Sequence, residues 1–184
     1  MKIKLNNVRL SFPELFTAKA VNGEGNPAFS ASFLIDPADP QVVALNAAID
    51  KIASDKWGAK APAILKQMRA TDKVCLHDGD LKSNYEGFSG MLYVSARNSA
   101  RPLVVDRDKS PLVEQDGRPY AGCYVNASIE LWAQDNNYGK RINASLRGVQ
   151  FLRDGDAFAG GGAANPDEFD DLAAETADDD DDLF

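Results

Sequence analysis

Residues 121–133, AGCYVNASIELWA, alternate without a break. Cys123, Val125, Ala127, Ile129, Leu131 and Ala133 fall on one face, and Tyr124, Asn126, Ser128, Glu130 and Trp132 on the other. A period of two over so long a run fits a strand buried on one side; a helix would smear both sets around its circumference. Such a strand needs partners for its backbone N–H and C=O groups and a cover for its apolar face. The chain must therefore supply further strands.

It does. Residues 2–10, KIKLNNVRL, read as a strand in which Ile3 and Leu5 share a face while Val8 and Leu10 fall on the other, so a bulge is expected near Asn6-Asn7. After a loop with NGEGNP at 22–27, Phe29, Ala31, Phe33 and Ile35 line one face of 28–35. KVCLH at 73–77, MLYVSARN at 91–98 and PLVVD at 102–106 come next as shorter extended segments, with the loop DGDLKSNYEGFSG between the first two. The Asp-Gly pair in EQDGR at 114–118 suits a tight hairpin. RINASLRGVQF at 141–151 places Ile142, Ala144 and Leu146 inward, and Gly148 marks a bulge where Val149 and Phe151 break the phase.

Between the early strands the period changes. Asp39 is an N-cap with Pro40 at the first helical position, and Val42, Leu45, Ile49 and Ile52 make an apolar stripe to about Lys56. Trp57-Gly58 ends it, and a second short helix is expected over 62–70. The pattern predicts a mostly β chain with one or two inserted helices, folded as an OB-fold-like antiparallel barrel and followed by a disordered acidic tail. A β-sandwich is the alternative, made less natural by the helical insert.

Charge divides the chain in two. The net charge is −8, yet residues 154–184 hold 12 acidic and no basic residues, so residues 1–153 keep 20 basic and 16 acidic, a net of +4. Gly160-Gly161-Gly162 opens a flexible linker, and the residues beyond it are too poor in core formers to offset their ordering entropy. Expected domains are a folded body over 1–155 and a flexible tail over 156–184. Five aspartates, Asp178, Asp179, Asp180, Asp181 and Asp182, precede Leu183 and Phe184. An acidic run closed by an apolar tip can dock in a basic-rimmed pocket of a partner. The same tail can also compete for a cationic groove on its own body.

The outward faces carry an unusual set. Tyr93 and Arg97, Tyr124 and Trp132, and Arg141 and Arg147 lie on the polar sides of three strands, with Arg101, Tyr138 and Lys140 at adjoining ends and loops. Aromatics interleaved with cations suit single-stranded nucleic acid, because each base offers a face for stacking and each phosphate a charge. The plainer reading packs such aromatics under the helices or a long loop.

Other chemistries find little footing. No run nears the length of a membrane span, and MKIKLNNVRLSF lacks the apolar core of a signal peptide. Cys75 and Cys123, 48 positions apart, and the single His77 lack zinc-ligand spacing, so neither a metal nor a cofactor is expected. Asp78, Asp80 and Glu86 could be drawn as a nuclease cluster, but Asp78-Gly79-Asp80 is turn chemistry. There is no phosphate-binding loop and no nucleophile elbow; no enzyme is expected.

The ending DDDDDLF resembles the acidic tails of bacterial single-stranded DNA-binding proteins, which close with Asp-Ile-Pro-Phe, though it lacks the proline. It also resembles the Phe-ended tails of short-tailed coliphage counterparts. The body is more similar to a phage-encoded single-stranded DNA-binding family. NVRLSFPELF at 7–16, ATDKVCLHDGD at 70–80 and GCYVNASIELWAQDNNYGKRINASLRGVQFLRDGDAFAGG at 122–161 carry that resemblance. It implies an embellished OB-fold that coats single strands in phage replication or recombination, in the host cytoplasm. The implied partners are single-stranded DNA and, through the tail, replication or recombination proteins; a weak homo-oligomer is compatible with it, a membrane is not. The rival expectation is an acidic DNA mimic or adaptor that binds basic proteins and never touches DNA.

Overall fold

The computed structural model describes residues 1–21, 23–158 and 169–173. The strands are β1 (Lys2–Val21), β2 (Glu24–Ile35), β3 (Leu76–Asp78), β4 (Leu92–Asn98), β5 (Leu103–Val105), β6 (Tyr124–Asn136) and β7 (Gly139–Arg153). Two helices, α1 (Pro40–Trp57) and α2 (Ala61–Ala70), stand between β2 and β3. The strands form one sheet in the order β3-β4-β2-β1-β6-β7-β5.

That sheet curls until its two ends meet. The segment before β3 reaches β7, where Val74 bridges Ile142 and the Ile142 N–H donates to the Lys73 carbonyl at 3.1 Å. Beside it, the Asn98 amide donates to the Leu146 carbonyl at 3.0 Å. With β4 brought against β7, strands β1, β2, β4, β6 and β7 close into the small Greek-key barrel of an OB-like fold. The inner wall is the alternating face of β6, with Val125, Ala127, Ile129 and Leu131 all buried, continued by buried Cys123 just before the strand and packed with Phe33 and Ile35 of β2. Burying each large side chain contributes roughly 1.5–3 kcal/mol.

Two bulges explain the broken phases. Asn7 adopts φ 51°, and the β1–β6 register shifts between Leu5 and Val8. One extra residue turns Leu5 and Val8 both into the core. In β7 the register shifts between Leu146 and Gly148, so Arg147 is the extra residue and Leu146 and Val149 both point inward. Gly148 has a second use: a Cβ there would press on the Leu103 carbonyl at 3.2 Å, so its absence lets β5 lie alongside.

Three details differ from the sequence reading. β5 runs parallel to β7, so the sheet is mixed and not wholly antiparallel. Within residues 114–118, Glu114–Asp116 make a 3₁₀ turn inside the β5–β6 connection, not a hairpin, because the Asp116 carboxylate accepts from the Val113 N–H at 2.8 Å and closes the turn locally. Residues 11–21, read as loop, continue β1 and pair with β2 through several register shifts.

α1 begins as its signals say: the Asp39 carboxylate accepts from the Gln41 N–H at 2.9 Å, with Pro40 following. Val42, Leu45, Ile49 and Ala53 of α1 and Leu65 and Met68 of α2 face the barrel.

After β7 the chain does not leave the body at 155. Residues 154–158 cross it as a strap. The Phe158 N–H donates to the Ala121 carbonyl at 3.0 Å, and the Phe158 ring is buried with Leu34, Phe88 and Tyr93. Arg9 donates to the Gly122 carbonyl at 3.0 Å and the Asp156 carbonyl at 2.8 Å, its guanidinium 4.3 Å from the centre of the Phe158 ring. Gly122, at φ +104°, is required here, since any Cβ would overlap the strap backbone at Asp156. The folded unit therefore reaches at least Phe158. Residues 169–173 are exposed, and Asp178–Phe184 lie outside the described residues.

The strap makes Phe158 part of the core. Phe158→Ala should lower the free energy of urea unfolding by roughly 3 kcal/mol or more, whereas removing residues 164–184 should leave it unchanged. A loss equal to that of a surface substitution would show that the ring is not a structural anchor.

Candidate nucleic-acid interface

Closure of the sheet leaves a groove of about 910 Å³ over the seam. One wall is β2 and β4, with Ser30, Ser32, Ser95 and Arg97; the other is β6 and β7, with Trp132, Gln134, Arg141, Asn143 and Ser145. The floor between them comes from the Lys73–Cys75 segment and His77. Phe12 and Lys82 stand at one end, and Asn26, Asn98 and Ser99 also line it.

The charge in this groove has one sign. Lys73, Lys82, Arg97 and Arg141 line it, and among the described residues no Asp or Glu does. None of the four makes an ion pair with a described carboxylate. Their fields add in a concave surface, where low-dielectric walls focus them. Arg97 is aimed by its bond to the Asn26 carbonyl at 3.0 Å.

Aromatic surfaces are held in place beside the cations. Trp132 is 44% exposed, and its indole N–H donates to the Ser145 hydroxyl at 3.1 Å, which pins the ring on the sheet. Phe12, 45% exposed at φ 47°, stands edge-on to Tyr85 at 5.0 Å between ring centres. Lys82 lies 5.7 Å from the centre of the Phe12 ring. His77 stacks on Tyr93 at 4.8 Å, with its Nδ1 2.5 Å from the Asp72 carboxylate.

The expected residues divide among several places. Arg97, Trp132 and Arg141 meet in the groove. Arg101 is exposed and is not among the lining residues; its guanidinium lies 5.7 Å from the centre of the Phe29 ring. Arg147 follows Ser145 along the exposed side of β7 but is paired with Glu130 at 3.0 Å. Tyr138 is 88% exposed at the β6–β7 turn, and Lys140 pairs with Asp135 at 3.6 Å.

Two placements on an open face are corrected. Tyr93 is 3% exposed: Phe88 of the β3–β4 loop folds over it, and burial together with Asp72 and Asp78 pushes its phenol pKa up. It backs His77 and does not face the groove itself. Tyr124 is sandwiched at the strap, with the Arg153 guanidinium 3.6 Å and that of Arg9 5.7 Å from the centre of its ring. In both cases a loop or strap supplied the cover that alternation cannot reveal.

Phe12, Asn26, Lys73, His77 and Lys82 are groove residues that the sequence reading left out. The alternation of apolar Phe16, Ala18 and Ala20 with polar Thr17 and Lys19 was a legible sign that β1 continues past Leu10. For Lys82 no such sign exists, because its place depends on the fold of the β3–β4 loop. There Asp78 accepts from the Asp80 N–H at 2.9 Å and Asp80 from the Gly90 N–H at 2.8 Å. Two of the three carboxylates that could be drawn as a nuclease cluster thus shape the loop.

Comparison with known proteins shows the family and the fold. The family model described as Enterobacter phage Enc34, ssDNA-binding protein matches residues 1–184. The chain belongs to that family. Protein p50 of Acyrthosiphon pisum secondary endosymbiont phage 1 is 52% identical over 176 residues, 94% of this chain and 95% of that protein. Among solved structures, the single-stranded DNA-binding protein of bacteriophage Enc34 in complex with single-stranded DNA is similar at TM-score 0.72 and 28% identity. The match covers 86% of this chain and 89% of that one. The single-stranded DNA-binding protein gp2.5 of bacteriophage T7 shares the fold, at TM-score 0.55 and 15% identity over 89% of this chain and 98% of that one.

The two thiols are not part of this chemistry. Cys75 in the groove floor and Cys123 in the core are unpaired and buried, and burial pushes their pKa values up to about 12 and about 11. The reactive thiolate is therefore scarce at neutral pH. Neither should react with an aromatic disulfide reagent at pH 8 in the native protein, and both should react once urea unfolds it. Rapid native labelling would show that the groove floor opens.

Proposed function

We propose that this protein binds single-stranded DNA without regard to sequence and coats it during phage replication or recombination in the host cytoplasm. The observation that carries this is the groove: four cations unpaired with described carboxylates, no described carboxylate in the lining, and exposed Trp132 and Phe12 among small polar side chains. Lys73, Lys82, Arg97 and Arg141 take phosphates, while Trp132 and Phe12 stack bases, which any sequence offers. The serines and asparagines leave room for a strand and bond sugars or base edges. Membership of a phage single-stranded DNA-binding family, and likeness to a member solved with its DNA, support the same reading. An acidic mimic would have no use for a groove of this sign.

The tail completes the reading. With 10 acidic and no basic residues after Phe158 it matches the charge of a single strand, and its root at Phe158 shares a cluster with Phe88 and Tyr93. Lys82, at the groove end, lies over both rings, 6.0 and 5.1 Å from their centres. The tail is a tethered competitor for the groove. Displaced by DNA, Asp178–Phe184 becomes a hook for replication or recombination proteins, and weak association between copies is compatible with coating.

Trp132→Ala should weaken oligo-dT binding by about 1–3 kcal/mol, measured by fluorescence anisotropy at low salt; unchanged affinity would remove the ring from the site. Arg97→Ala and Arg141→Ala should each reduce the slope of log affinity against log salt by about 0.7, whereas paired Arg147→Ala should reduce it less. A protein ending at Phe158 should shift oligo-dT in a gel more tightly than the full chain. Failure of that body to bind would favour a protein adaptor, and weaker binding than the full chain would end the competitor reading.

A further inference from the structure

A second cleft, of about 550 Å³, opens between the helices and the β6–β7 hairpin. Its walls are Trp57, Lys60, Ile64, Gln67, Met68 and Thr71 on the helical side and Asp135 and Lys140 on the hairpin side. Lys73 lines both this cleft and the main groove, so the two are contiguous at one side chain. The Lys73 ammonium reaches the hairpin, 4.0 Å from where a Cβ on Gly139 would sit.

The cleft repeats the chemistry of the groove in a smaller space. Three lysines face one carboxylate, and that carboxylate is engaged: Asp135 accepts from the Trp57 indole N–H at 2.9 Å and pairs with Lys140 at 3.6 Å. Lys60 is exposed and makes no ion pair with a described carboxylate. Trp57 is half-buried, its ring oriented by the bond to Asp135. A cationic rim beside an aromatic wall, entered past a shared lysine, fits a phosphodiester chain with a base against the indole.

We propose that single-stranded DNA leaving the main groove passes over Lys73 into this helix–hairpin cleft. The helical insert thereby becomes part of the DNA-binding surface, with Lys60 and Lys140 on the phosphates and Trp57 against a base. This rests on the single-strand reading of the groove. It gives the strand a defined exit and makes the footprint longer than the barrel alone would give.

The chain contains two tryptophans, so the full-length Trp132→Phe variant leaves Trp57 as its only indole. Its emission is followed on adding oligo-dT of roughly 5 or roughly 15 nucleotides, lengths near the ends of the usual range for one OB-fold. The long probe should quench Trp57 and the short one should not. Lys60→Ala in that background should abolish the quench and lower the salt slope for the long probe by about 0.7, leaving the short probe's affinity as it was. Short-probe binding also reports that the variant is folded. A bound long probe that leaves Trp57 emission unchanged overturns the proposal, as does a quench that survives Lys60→Ala with an unaltered slope. If neither probe binds the unsubstituted protein at low salt, the single-strand reading fails, and this extension with it.

Discussion

The structure depends on the closure of one sheet upon itself. The Ile142 N–H finds the Lys73 carbonyl, and the Asn98 amide finds the carbonyl of Leu146. Those contacts join segments about 70 and about 50 residues apart in the chain, and they satisfy backbone groups that an open edge would leave to water or to another molecule. They also make the groove. Before closure, Ser30, Ser95 and Arg97 belong to one margin of a sheet and Arg141, Asn143 and Ser145 to another. After it, they are facing walls with Lys73 and His77 between them.

Closure in turn rests on bulges that keep the core continuous. A barrel needs its strands to coil, and a regular strand of the length of β1 or β7 would turn half of its apolar residues outward. Asn7 and Arg147 each insert one residue, so that Leu5 with Val8, and Leu146 with Val149, all reach the interior. The bulge at Arg147 lies beside Gly148, where the lack of a side chain admits β5 as a parallel edge strand. Packing and sheet geometry thus meet in the same few residues.

The charges sort by pairing more than by number. A body with a net of +4 is only mildly basic, and several of its cations are engaged by carboxylates: Arg118 by Asp106, Arg147 by Glu130, Lys140 by Asp135. The four in the groove make no such pair with a described carboxylate, so the field is concentrated where the surface is concave. The acidic residues gathered after Arg153 are joined to the body through the strap, whose Phe158 shares a cluster with Tyr93, the ring on which His77 stacks. The root of the tail and the floor of the groove are therefore packed on the same aromatic residues.

Much of this was legible in the chain itself. Alternation along β6 and β7 showed which side of each strand is buried, because a period of two leaves a residue no other choice. The cap at Asp39-Pro40 located α1, broken phase located both bulges, and Arg97, Trp132 and Arg141 stood out as an aromatic and cationic set. The local rules stop at the question of what covers an outward face. Tyr93 and Trp132 look alike in sequence, yet Phe88 folds over the first while the second stays open. Tyr124 is claimed by Arg153 and Arg9, and Lys82 and Phe12 reach the groove through a loop and a strained strand residue. Period and propensity are properties of neighbours along the chain, so sequence alone determined most of the strands, the helices, the sidedness of the core and the segregation of charge. Which outward residues share one groove depends on contacts between segments far apart in the chain, and only the closed barrel decided that.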